Sequence, residues 1–259
     1  GLMIKNAPHL VSNQAFVIPN YSWWDGPFYQ LGLKIYDFMS GDLGIGSSKR
    51  LSVEETICHI PTIDQKELAG GVIYFDGQFD DARMAISLAK TAAQFDGVLL
   101  NYMKVEKIIK NEEGIAEGVM ALNLETQEKY QIHSKVVINA TGVFADAIKK
   151  MDDSDAREMI QPSQGTHIVL DASFLPDKYA IMVPRTKDGR VLFAVPWHNK
   201  VIVGTTDTVV EKPLLEPHFQ LEEVEFILET ASQYLTKKPT KKDVLSIFSG
   251  LRPLAKPEG

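Results

Sequence analysis

Apolar residues recur at helical spacing in three stretches of this chain and gather into short runs in much of the rest. Asp80 or Asp81 can cap a helix whose stripe is Met84, Ala85, Leu88, Ala89, Ala92 and Phe95, and Gly97 fits its stop. Val98-Leu99-Leu100 and Val105 to Ile109 predict strands, and Asn111-Glu112-Glu113-Gly114 a turn. Ile115 to Leu124 and Lys129 to His133 continue as a meander. Val136-Val137-Ile138 is a short apolar strand that runs into Asn139-Ala140-Thr141-Gly142. A helix, a strand, a meander and a strand ending in a small-residue turn make half of a doubly wound nucleotide domain. After Gly142, strands at Thr166 to Leu170, Ala180 to Val183, Arg190 to Val195 and Val201 to Gly204 predict a mixed or antiparallel sheet. A helix from about Leu221 to Leu235 and a last strand, Val244 to Phe248, follow.

The first 80 or so residues hold few clean periods. Asp25-Gly26-Pro27 is a helix start with Pro27 at the first helical position, followed by Phe28, Leu31, Ile35 and Phe38 at helical spacing. Tyr29, Leu33 and Tyr36 make the opposite face apolar too, so the expectation is a core helix buried on both sides. The alternative, given Trp23 and Trp24 just upstream, is a monotopic membrane contact. Lys34 alone represents the basic face that such a contact favours.

The composition is that of an ordinary globular chain: 259 residues, 44% hydrophobic and 24% charged. A net charge of -7 and a pI of about 5.4 disfavour nucleic acid as a partner. The run Lys237, Lys238, Lys241 and Lys242 reads as a solvated helix end. The single cysteine, Cys58, excludes an internal disulfide and a CxxC metal site, and suits a reducing cytoplasm. No metal site is expected. No apolar run approaches the roughly 18 residues of a transmembrane helix.

Four blocks in the C-terminal third carry the candidate chemistry: Gly165-Thr166-His167-Ile168-Val169-Leu170, Val195-Pro196-Trp197, Gly204-Thr205-Thr206-Asp207 and Ser249-Gly250-Leu251-Arg252-Pro253-Leu254. His167 heads an apolar strand. Imidazole titrates near pH ~6.5, which suits removal of a hydroxyl proton, although a lone histidine is more often a satisfied structural group. His198 competes, but with Asn199 and Lys200 it reads as a hairpin turn. Arg252, between a Gly turn and Pro253, offers a rigid donor fork for an anion or a developing oxyanion. Arg185, beside Pro184, is the weaker phosphate candidate. Thr205 and Thr206 are candidate hydroxyl donors to substrate, with an ordinary strand-end turn as the alternative. Ala140, Thr141 and Gly142 sit where a doubly wound sheet binds ligands, or simply form a strand-to-helix turn.

These blocks in this order resemble the FAD-dependent glycerol-3-phosphate dehydrogenases. Asn6-Ala7-Pro8-His9-Leu10, Asp80-Asp81-Ala82-Arg83 and Asn139-Ala140-Thr141-Gly142 extend the resemblance over nearly the whole chain. It implies an α/β (α+β) two-domain flavoprotein fold like that of D-amino-acid oxidase and glycine oxidase. Residues 1–78 and 151–259 would form the substrate domain and residues 79–150 part of the FAD domain. It further implies His167 as the base, Arg252 at the substrate, and Val105, Ala140, Thr141, Gly142, Gly250 and Leu251 at FAD. The implied reaction is oxidation of glycerol 3-phosphate to dihydroxyacetone phosphate, with electrons passing to quinone. Peripheral contact with the inner face of the cytoplasmic membrane and a homodimer are further expectations.

Two departures qualify the resemblance. Many relatives carry Lys where this chain has Gln164, so a positive charge near flavin or substrate is missing there. The opening G-x-G-x-x-G is absent as well. Gly41-Asp42-Leu43-Gly44-Ile45-Gly46 has the wrong spacing and leads into Ser47-Ser48-Lys49-Arg50, so it reads as a loop. An internal fragment of a longer enzyme is therefore expected, inactive alone and purifying without FAD. The rival readings are an oxidase that uses oxygen, another flavin amine or hydroxy-acid oxidase, and a flavin-free binding or scaffold domain.

Overall fold

The computed structural model describes residues 1–22, 25–41, 44–187 and 189–256, with backbone alone at 25, 26 and 36–40. The elements in chain order are α1 (Leu2–Asn6), β1 (Val11–Asn20), α2 (Asp25–Ser40), β2 (Lys49–Leu51), α3 (Val53–His59), β3 (Gly70–Phe79), α4 (Asp81–Gln94), β4 (Met103–Lys110), β5 (Ala116–Asn123), β6 (Lys129–His133), α5 (Ala145–Asp152), β7 (Ile160–Asp171), β8 (Ala180–Val183), β9 (Leu192–Trp197), β10 (Lys200–Gly204), β11 (Thr208–Val209), α6 (Leu221–Tyr234) and β12 (Ser246–Ala255). They divide into two compact units. The first holds Gly1–Ile86, Gly165–Asp207 and His218–Ser249, and the second Ser87–Gln164, Thr208–Pro217 and Gly250–Gly259. These boundaries differ from the expected breaks after residues 78 and 150.

The first unit is built on a mixed sheet in the order β7-β10-β9-β8-β1-β3-β2, with β12 also paired to β7. β1 and β3 form a ten-residue antiparallel ladder, Val11 opposite Phe79 through Asn20 opposite Gly70, whereas β1 and β8 run parallel. Side chains alternate between the two faces of a strand, so each strand serves two surfaces. One face buries Val17, Ile73, Ile168, Leu170, Ile181, Val183, Val201 and Val203. Against these, α6 lays its stripe of Val224, Ile227, Leu228 and Ala231, at the spacing that puts apolar side chains on one side of a helix. On the other face, Phe16, Ile18, Tyr74 and Ala180 form a smaller cluster with Tyr29 and Leu33 of α2. α3 starts at a reciprocal cap: Ser52 Oγ accepts the Glu55 N–H at 3.1 Å, and Glu55 Oε2 accepts the Ser52 N–H at 2.9 Å.

α2 corrects one expectation. Tyr29 and Leu33 pack inward, but Phe28, Leu31 and Ile35 are 73%, 66% and 55% exposed. The helix is therefore packed on one side and not on both. Trp23 and Trp24, and the side chains of Tyr36 and Phe38, lie outside the described residues.

The second unit holds the antiparallel meander β4-β5-β6, with α5 against β4. Lys110 Nζ pairs with the Asp152 carboxylate at 2.8 Å, and Asp146 Oδ2 accepts the N–H groups of Met159 and Ile160 at 3.0 and 2.9 Å. Two expected strands do not form. Residues 98–100 and 136–138 join no ladder, and Val98, Leu100, Val136 and Ile138 are exposed. Three apolar residues become a strand only beside a partner that satisfies their backbone groups, and no described strand flanks either run. α4 likewise buries none of its side chains.

The contrast between the faces predicts unequal costs in this chain. Ile227→Ala, at a fully buried position, should destabilise by about 2–5 kcal/mol, and Leu88→Ala, on the exposed face of α4, by no more than about 0.5 kcal/mol. Urea unfolding of the two variants checks this. Equal losses would mean that α4 is packed after all.

Candidate active site

The second face of the first unit's sheet opens into a cavity of about 270 Å³. Its lining follows from strand alternation: Phe16 of β1, Tyr74 and Asp76 of β3, Phe193 and Val195 of β9, Ile202 and Gly204 of β10, and His167 of β7, closed by Gly77 and Thr205. Residues two apart on a strand, and register partners on neighbouring strands, point the same way, so one face collects an imidazole, a carboxylate and three aromatic rings. Phe16 stacks on Tyr74 with centroids 5.2 Å apart and meets Phe193 edge-on at 5.7 Å. The apolar wall thus has fixed geometry.

His167 is held from two sides. Its ring lies on that of Phe248 with centroids 5.0 Å apart and planes 9° apart. On the next strand, Gly204 is its register partner, and a Cβ there would lie 2.3 Å from His167 Cδ2. The glycine is therefore required sterically: the imidazole lies across the space a side chain would fill. His167 is half-buried, packed on one side and open to the cavity.

Beneath the cavity is a buried polar network. Thr206 is 3% exposed; its Oγ1 accepts the Thr166 N–H at 2.8 Å and donates to Glu223 Oε1 at 2.9 Å. Thr166 Oγ1 donates to Glu223 Oε2 at 2.6 Å and lies 2.7 Å from Ser249 Oγ. Thr205, not Thr206, lines the cavity, and its hydroxyl donates to the Thr206 carbonyl at 3.1 Å. Of the two threonine candidates for substrate contact, Thr206 is thus committed to the interior.

The remaining candidates are distributed as follows. Arg185 is exposed beside Pro184 and does not line this cavity. His198 and Asn199 both adopt left-handed backbone, φ 43° and 59°, in the two-residue turn between β9 and β10, the hairpin role expected from sequence. Val105, Ala140, Thr141, Gly142, Gly250, Leu251 and Arg252 belong to the second unit. There, Arg252 is half-buried on β12, and Val105 lies on β4 beside a register shift. Gln164 is buried and opposite Thr208 of β11.

Asp76, the three rings and Glu223 were not singled out from sequence. β3 lacks a clean alternation, because Gly70 to Tyr74 are all buried. The acid that ends the apolar run was the available signal. Glu223 stands three residues after Gln220 and accepts its N–H at 3.0 Å, a spacing that reads as an ordinary helix start.

The second unit fits part of a flavin nucleotide. Asn139 Oδ1 accepts the Thr141 hydroxyl at 2.8 Å and folds an exposed turn. Gly142 follows with φ +57°, and no atom lies within 4 Å of where its Cβ would be; Gly250 also faces open space. A ligand can approach the backbone closely at both. The glycine loop that grips a pyrophosphate is not among the 259 residues, so the fit covers only part of the cofactor.

Residues 10–259 match the family described as FAD dependent oxidoreductase. The mitochondrial glycerol-3-phosphate dehydrogenase of Schizosaccharomyces pombe is 38% identical over 98% of this chain and 40% of its own length. The glycerol-3-phosphate dehydrogenase of Bacillus halodurans, solved in complex with FAD, superposes with a TM-score of 0.83 at 31% identity, over 98% of this chain and 46% of that one. The L-alpha-glycerophosphate oxidase of Mycoplasma pneumoniae shares the fold, with a TM-score of 0.76 at 17% identity, covering 98% and 66%. The chain belongs to the FAD-dependent oxidoreductase family, with the mixed α/β fold of that family. It spans about 40% of the length of the curated relatives it matches.

The His167–Gly204 contact gives a prediction. Gly204→Ala should drive the imidazole off Phe248, so the His167 ring protons lose the upfield ring-current shift of a stacked geometry. Proton–carbon NMR of histidine-labelled protein checks this; unchanged His167 resonances would mean that the ring does not lie over Gly204.

Proposed function

We propose that this chain carries the substrate pocket of an FAD-dependent glycerol-3-phosphate dehydrogenase, which oxidises sn-glycerol 3-phosphate to dihydroxyacetone phosphate. The observation that carries the reading is His167, fixed between Phe248 and Gly204 at the edge of a cavity of about 270 Å³. That volume lies just below the range of drug-sized ligand pockets, about 300–1,000 Å³, which suits a three-carbon substrate. The likeness to glycerol-3-phosphate dehydrogenases over 98% of the chain supports the substrate class.

In this reading, His167 takes the proton of the C2 hydroxyl, and the aromatic wall keeps water from the carbon that is oxidised. Arg252 holds the phosphate or the developing oxyanion, with Arg185 as the second candidate and Thr205 as a hydroxyl donor. Asp76 repels an anion, which turns the phosphate away from the β3 wall. FAD, when bound, supplies the two-electron acceptor for the C2 hydrogen. Ala140, Thr141, Gly142, Gly250, Leu251 and Val105 would hold it, together with a phosphate-binding segment from elsewhere in a longer protein. The exposed apolar residues of α4 and of 98–100 and 136–138 mark the surface such a segment would cover.

General acid–base catalysis contributes about 10²–10⁴-fold. In a full-length enzyme, His167→Ala should therefore lower kcat by that order with KM little changed. Arg252→Ala should lower kcat/KM more broadly, Arg252→Lys should recover only part, and His198→Ala should be mild. Steady-state kinetics with flavin content measured for each variant checks the set. A crippling His198→Ala beside a near-normal His167→Ala would reassign the base, and an intact kcat/KM in Arg252→Ala would pass the anion role to Arg185.

We further propose quinone as the electron acceptor and peripheral attachment at the inner face of the cytoplasmic membrane. The exposed stripe Phe28, Leu31 and Ile35 on α2 supports such a contact, since it offers an apolar face at helical spacing. Among the described residues, no helix is long and apolar enough to cross a membrane. Replacing all three residues by Asp should abolish co-sedimentation of the full-length protein with phospholipid vesicles while glycerol 3-phosphate oxidation with a soluble dye persists. Unchanged vesicle binding would remove α2 from the contact. Peroxide release matching substrate consumption would favour the oxidase.

A further inference from the structure

Glu223 is the odd residue on its helix. It lies in the buried stripe of α6 beside Val224 and Ile227 and is 5% exposed. A buried carboxylate is unfavourable unless hydrogen bonds replace its water, and an apolar residue would fill the site at less cost. What Glu223 provides is a junction. Its two oxygens accept from Thr206 Oγ1, Thr166 Oγ1 and the Gln220 N–H at 2.9, 2.6 and 3.0 Å.

The donor directions fix one another. The Thr166 N–H donates to Thr206 Oγ1, which turns the Thr206 hydrogen toward Glu223. Thr166 Oγ1 spends its hydrogen on Glu223, so the Ser249 hydroxyl is the donor to Thr166. The Thr206 and Thr166 hydroxyls and the Gln220 N–H all point to a carboxylate that offers acceptors only. An amide in its place would set an N–H against one of these hydroxyls.

The three side chains come from the three segments that hold the imidazole. Thr166 precedes His167, Thr206 lies two residues after Gly204, and Ser249 follows Phe248, whose ring carries His167. We propose that Glu223 is a positioning residue for His167. From the opposite face of the sheet, its carboxylate holds Thr166 of β7 and Thr206 after β10 directly, and Ser249 of β12 through Thr166, in the arrangement that aims the imidazole at the substrate. This rests on the reading of His167 as the base. It assigns Thr166, Thr206 and Ser249 to the support of the site and not to substrate contact.

The test uses full-length, flavin-loaded enzyme. Misplacement of a reacting group by about 1 Å can lower the rate about 10²-fold. Glu223→Gln, similar in size, should therefore lower kcat by roughly 10- to 100-fold, with KM, flavin content and unfolding midpoint near those of the parent. Thr206→Val should give the same defect, and Thr206→Ser should restore activity, a contrast that holds even if the Glu223 variant fails to fold. In a His167→Ala background, Glu223→Gln should cost nothing further, because the group it positions is gone. A near-normal kcat for Glu223→Gln beside a crippled His167→Ala would overturn this inference alone, as would an equal loss in both backgrounds or a fully active Thr206→Val. A near-normal His167→Ala would overturn the reading of His167, and this inference with it.

Discussion

The site depends on one register, His167 of β7 opposite Gly204 of β10. A strand alternates its side chains, so a slip of a single residue would turn His167 toward α6 and bring Ile168 into the cavity. The register is fixed from the other face. Ile168, Leu170, Val201 and Val203 are all buried against the α6 stripe, and the slip would turn Ile168 and Leu170 out of it. The hydrophobic core therefore does more than hold the sheet together: it determines which residues the cavity receives. Gly204 completes the constraint, because any side chain there would occupy the place of the imidazole. An imidazole in fixed orientation over a small, ring-walled cavity is the consequence.

Where the pattern of the chain was local, it was legible. α6 and the strands β8 and β10 follow directly from apolar spacing, and the turn at His198-Asn199 from residue types that tolerate left-handed backbone. β1 and β3 were harder, because long stretches of both are buried on both faces and lose the alternation that marks a half-exposed strand. The expected strands at 98–100 and 136–138 failed for the opposite reason. Their apolar content was plain, but a strand is defined by its partner, and no described strand lies beside them.

The candidate site was legible in its blocks and not in its connections. His167 and Thr205 stood out by motif, and both line the cavity. Thr206 stood out equally but faces inward, a difference set by chain direction after Gly204 and not by residue type. Glu223 was not legible, because its hydroxyl partners Thr206 and Thr166 lie 17 and 57 residues away, and only the fold brings them to one carboxylate. Asp76 was hidden just after the apolar run of β3. Glu223 is found by asking which buried polar groups satisfy one another, and Asp76 by asking what lines the cavity, and both questions need coordinates.

The account's central claim is that the cavity beside His167 receives the substrate carbon that is oxidised. The most direct measurement is a crystal structure of the full-length flavoprotein with glycerol 3-phosphate, or an unreactive analogue, bound. The account predicts the C2 hydroxyl within hydrogen-bond reach of the His167 imidazole, about 2.6–3.2 Å, with the ring still stacked on Phe248. A substrate bound away from the Phe16–Tyr74–Phe193 wall, with His167 making no contact to it, would contradict the account.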